Sequence, residues 1–118
     1  MNTTLERPPF RIFHSAEDES KQISHDSGIL FEDGMLVAYT RTEEKYEEAG
    51  EEEWDYEVET KIKGAALARL RRILNLADDS VEELLDAVIA LFNGPAAFNN
   101  LHKYLQHHKI HYTTETTA

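Results

Sequence analysis

At 118 residues, with 41% apolar and 30% charged side chains, the chain has the size and composition of one soluble globular domain. It contains no cysteine, which excludes disulfides, thiolate metal sites and thiol catalysis. Its 23 acidic and 12 basic residues leave a net charge of −11, which opposes direct binding to the phosphates of DNA or RNA.

The opening MNTTLERPPF has no apolar core of the kind that marks a signal peptide. No apolar stretch approaches the ~20 residues of a membrane span. A cytoplasmic location without membrane attachment is therefore expected.

Residues 1–9 read as a polar lead-in, and Phe10 to His14 (FRIFH) as a short first strand. Residues 15–27 are polar and mixed in charge and read as a loop. Gly28 to Glu32 and Met35 to Thr42 are apolar and β-prone, and Asp33-Gly34 between them is a strong two-residue hairpin signal.

The run Glu43 to Glu59 (EEKYEEAGEEEWDYEVE) then places ten carboxylates and one lysine in succession, a net of −9. The rest of the chain carries only −2. Ala49-Gly50 is the natural turn at its middle, and Trp54 to Lys63 the return strand. That strand alternates: Trp54, Tyr56, Val58, Thr60 and Ile62 share one face, and Asp55, Glu57, Glu59, Lys61 and Lys63 the other.

From Gly64 the period becomes helical, with Ala66, Leu67, Leu70, Ile73 and Leu74 as the apolar stripe. Asp78-Asp79-Ser80 interrupts it, and Ser80 with Glu83 forms a capping box for a second helix running to about Asn93. Val81, Leu84, Leu85, Val88 and Leu91 or Phe92 face inward on that helix. Gly94-Pro95 separates it from a last helix, about Pro95 to His108, which buries Phe98, Leu101, Tyr104 and Leu105. Lys109 to Tyr112 read as a short returning strand, and 113–118 as a polar tail. The predicted architecture is a single α+β domain over residues 1–118, an antiparallel meander with a long acidic hairpin, covered on one side by three C-terminal helices.

Few patterns in this sequence support chemistry. His102, His107, His108 and His111 cluster near the C-terminus, but no nearby carboxylate completes a metal set, and cationic histidines there complement a helix dipole. The carboxylates of the acidic run diverge along two strands, whereas Ca²⁺ requires oxygens converging on one point. There is no Gly-rich phosphate loop, G-x-S-x-G elbow or H-E-x-x-H motif. Contiguous His25-Asp26-Ser27 does not make a triad, which is assembled in space. Lys61, Lys63, Arg69, Arg71 and Arg72 form a basic stretch expected to solvate the outer face of a helix, the alternatives being contact with the acidic hairpin, within the chain or between copies, and the weaker option of nucleic-acid binding. No cofactor, metal or catalytic residue is expected.

Binding is the better-supported activity. The candidate partner-binding residues are Glu43, Glu44, Tyr46, Glu47, Glu48, Glu51, Glu52, Glu53, Trp54, Asp55, Tyr56 and Glu57. Carboxylates interleaved with amphipathic aromatics suit a basic site on another protein, the charge steering encounter and a ring slowing dissociation. Nuclease toxins hold their substrate with basic surfaces, so an immunity or antitoxin-type inhibitor of such a toxin fits the charge pattern. Bacterial immunity proteins are similar in size, acidity and lack of cysteine, a likeness of composition alone. The competing expectations are a nucleic-acid mimic of the anti-restriction or anti-CRISPR type, and a non-catalytic adaptor whose acidic hairpin only aids solubility.

Overall fold

The computed structural model describes residues 9–18, 23–44, 54–76 and 80–117. Five strands and three helices follow one another as β1 (Phe10–Asp18), β2 (Ile23–Glu32), β3 (Met35–Glu44), β4 (Trp54–Ile62), α1 (Gly64–Ile73), α2 (Val81–Leu91), α3 (Ala97–His107) and β5 (Thr113–Thr117). The strands form one antiparallel sheet in the order β1-β2-β3-β4-β5. The helices pack against one face, α1 on β3, α2 on β1 and β2, and α3 across β1 to β3. The α+β fold expected from the sequence is the one observed.

Local chemistry explains most of the elements. Asp33 and Gly34 both have positive φ, 54° and 75°, the backbone twist that a two-residue hairpin requires. Ser80 accepts a hydrogen bond from the Glu83 amide at 3.1 Å and opens α2, whose first turn carries Glu82 and Glu83. Helices α1 and α3 end alike: Asn75 and Lys109 adopt left-handed φ of 62° and 58°. The next amides, Leu76 and Ile110, bond back to the carbonyls of Arg71 and Leu105. This is the Schellman closure, normally built on glycine.

The core lies between sheet and helices. Ile29, Leu36, Ala38 and Ile62 from the sheet meet Leu70, Leu84, Leu85, Leu101 and Leu105 from the helices, all fully or nearly fully buried. In register, Leu36 lies opposite Ile62 and Ala38 opposite Thr60, so the inward face predicted for the Val58–Ile62 half of β4 holds. Phe92 is buried and Leu91 is 53% exposed, which decides between the two inward candidates at the end of α2. Arg11 also points to the helix side, where it pairs with Glu82 and Asp86 of α2.

Three expectations are corrected. The loop expected over residues 15–27 is strand at both ends: 15–18 complete β1 and 23–27 begin β2, paired from Ser15↔Asp26 to Asp18↔Ile23, while 19–22 lie outside the described residues. These strand ends have too few apolar residues to show a period of two. Ladder bonding and contacts such as Ser15 Oγ donating to Asp26 Oδ1 at 2.8 Å hold them instead. The tail is also structured, since Thr113–Thr117 is β5, paired with β4. Lys109 to Tyr112, expected to form a strand, instead contain the left-handed Lys109 that closes α3. The β-branched threonines follow and occupy the remaining edge of β4, where an all-polar strand is tolerated because its outer side meets water.

A register shift between Ile12 and His14 marks a bulge in β1. It leaves Phe13 buried in the core while its carbonyl accepts a 2.9 Å bond from the Gly94 amide, at the α2–α3 connection. The bulge thus ties an edge strand to the helical layer.

Candidate protein-binding surface

The two described ends of the acidic run, 43–44 and 54–59, lie on the paired strands β3 and β4. β3 and β4 pair from Leu36↔Ile62 to Glu44↔Trp54, with Arg41 opposite Glu57, Thr42 opposite Tyr56 and Glu43 opposite Asp55. Among the predicted binding residues, Glu43, Glu44, Trp54, Asp55, Tyr56 and Glu57 therefore lie at adjoining register positions at one end of the sheet. Tyr46, Glu47, Glu48, Glu51, Glu52, Glu53 and the Ala49-Gly50 turn lie outside the described residues. β5 pairs the other edge of β4 from Lys61↔Thr113 to Glu57↔Thr117, so β4 is flanked on both sides as far as Glu57. Acidic positions directly opposed in register, such as Glu43 and Asp55, are unfavourable for folding alone.

The face away from the helices carries this acidity along the sheet. Across it run the rows Phe10–Leu30–Val37–Lys61, Ile12–Gly28–Tyr39–Glu59–Glu115 and Ser15–Asp26–Arg41–Glu57. The last of these adjoins the row holding Glu43 and Asp55. Arg41 Nε lies 3.6 Å from Asp26 Oδ2. Lys61 Nζ donates to Glu115 Oε2 at 3.1 Å, and this bond holds the ammonium pKa above its ordinary value.

Tyr39 lies at the centre of this face. A Cβ built on Gly28 would stand 2.8 Å from the Tyr39 hydroxyl oxygen and 3.0 Å from Cζ, so the ring rests directly over the glycine. Burial raises the phenol pKa above its usual value, opposed by the nearby Arg41 charge. The Arg41 guanidinium carbon sits 5.6 Å from the ring centroid, within cation–π reach.

Around Tyr39 lies an apolar group that the sequence reading missed. Val37 is only 1% exposed although it faces away from the helices, while Ile12 is 52% and Phe10 40% exposed. Leu30 and Met35 are half-buried. The signal was present in MLVAY, where apolar residues occupy both faces of β3 instead of alternating.

The rival constellations resolve into structural roles. His102 Nδ1 is 2.9 Å from the Phe98 carbonyl and therefore donates to it, and its Nε2 lies 2.6 Å from the buried Thr60 hydroxyl. His107 and His108 pack ring to ring, and His108 also packs on Tyr104. Among the described residues no group of three or more histidines or carboxylates is placed to hold a metal ion. Arg69 donates to the His108 carbonyl and Arg71 to the Ser80 carbonyl, so two of the basic residues brace helix ends. His25, Asp26 and Ser27 alternate across β2 and do not converge. Among the described residues no helix is long and apolar enough to cross a membrane. No family model, curated protein or solved structure matches this chain.

Proposed function

We propose that the protein is a small acidic inhibitor that binds a basic partner protein, acting as an immunity or antitoxin-type factor against a nuclease toxin. The observation that carries this reading is the concentration of ten carboxylates within residues 43–59, bounded by paired ends of two central strands. The paired strands hold Glu43, Glu44, Asp55, Glu57 and Glu59 of this run at set register positions, which lowers the ordering cost of binding, and acids opposed in register become favourable against a basic cleft. Long-range attraction accelerates encounter, and desolvated contacts then hold the complex.

Phosphate mimicry is the weaker reading. Arg41 and Lys61 interrupt the acidic rows of the open face, whereas a mimic of a duplex backbone needs an unbroken run of negative charge.

Affinity capture on the immobilised protein, with elution by salt and identification by mass spectrometry, tests the proposal when each recovered protein is assayed for nuclease activity. The expected result is a basic protein that elutes as salt rises and loses activity at one-to-one stoichiometry. Recovery of only neutral or acidic proteins, or a basic nuclease left fully active in the complex, would contradict it.

A further inference from the structure

We infer that the sheet face uncovered by the helices is a docking surface for a protein that sets apolar side chains within a basic surface. The inference rests on the binding role proposed for the acidic strand ends and extends that site along the sheet. Three observations carry it.

The first is that Val37 is 1% exposed yet lies outside the main core cluster. The open face therefore has a packed apolar group of its own, with Leu30 beside Val37 and Ile12 one row away. Ile12 is 52% exposed in β1, so additional apolar surface remains for a partner to cover.

The second is the platform that Tyr39 makes over Gly28. A tyrosine whose hydroxyl end rests on a neighbouring strand presents an amphipathic surface with little conformational entropy to lose, which suits the centre of an interface.

The third is charge. Around the apolar group the described strands place Asp26, Glu32, Glu57, Glu59 and Glu115 against Arg41 and Lys61. A second copy stacked on this face would set acid against acid, and an anionic lipid surface would be repelled likewise. A basic protein surface with apolar side chains satisfies both parts of the face. It also reaches the row of Glu43 and Asp55 without a break.

The test titrates the ¹⁵N-labelled protein with two synthetic peptides of equal length and charge, one alternating Lys and Leu, the other Lys and Ser. The Lys-Leu peptide is expected to bind about tenfold more tightly and to shift the amides of Ile12, Leu30, Val37 and Tyr39. Ile12→Ser, an exposed position whose folding is checked by circular dichroism, should weaken Lys-Leu binding about fivefold to tenfold and leave Lys-Ser binding unchanged. Equal affinities, with shifts confined to the acidic strand ends, would overturn the docking face and leave the acidic site standing. Failure of both peptides to bind would overturn the acidic reading and this inference together.

Discussion

Gly28→Ala perturbs the open face at its tightest point. The added Cβ would stand 2.6 Å from the Arg11 carbonyl oxygen, 2.8 Å from the Tyr39 hydroxyl oxygen and 3.0 Å from Tyr39 Cζ. The tyrosine has freedom to swing away, but the carbonyl belongs to the backbone of the paired strand β1 and yields only if the β1–β2 ladder shifts. Overpacking of this kind costs about 1–3 kcal/mol, and the backbone contact places this case near the upper end. A Tm lower by roughly 10 °C follows for a domain of this size. Urea unfolding of wild type, Gly28→Ala and Gly28→Ala/Tyr39→Leu measures the effect. Removing the ring should recover only part of the loss, because the Arg11 contact persists. A single-variant loss below about 0.5 kcal/mol, the range of ordinary surface substitutions, would refute the reasoning.

Three further outcomes are expected. Tyr39 should ionise above the ordinary tyrosine value in a titration followed at 295 nm. Because burial raises its folded pKa, stability is unaffected by this group below the ordinary tyrosine value and falls as pH climbs through the folded one, so the urea midpoint of wild type should drop relative to that of Tyr39→Phe on strong alkalinisation. Thr60→Val, which removes the hydroxyl bonded to His102 at 2.6 Å, should cost about 1–2 kcal/mol in urea unfolding, and Thr60→Ser should recover most of it. Lys109→Gly should raise stability by about 0.5–1 kcal/mol, because the left-handed φ of 58° strains any residue with a Cβ.

What was legible in the sequence was what short-range chemistry dictates. Asp33-Gly34, the Ser80–Glu83 cap and the stripes of the three helices depend on residues within a few positions of one another, and each formed as expected. The Thr60–Ile62 face of β4 was legible because a strand buried on one side must alternate. Less was legible where a segment takes its structure from a distant partner. Ser15 to Asp18 and Ile23 to Ser27 are strands because they pair with each other, and Thr113–Thr117 is a strand because β4 had an edge to fill. The binding site was read as an acidic hairpin bearing Tyr46, Trp54 and Tyr56, without the apolar face beside it. The run MLVAY marks β3 as apolar on both faces, but which of them the helices leave open is set by packing elsewhere in the chain.

The central claim is that the acidic run is a binding determinant and not merely a solubilising surface. Its most direct test is isothermal titration of the basic protein recovered by salt-dependent capture against wild type and the Glu51→Lys/Glu52→Lys/Glu53→Lys/Asp55→Lys variant, with circular dichroism to verify the fold. The account predicts an unchanged spectrum and an affinity lower by on the order of a hundredfold or more. A folded variant binding within about twofold of wild type, a difference of about 0.4 kcal/mol, would contradict it.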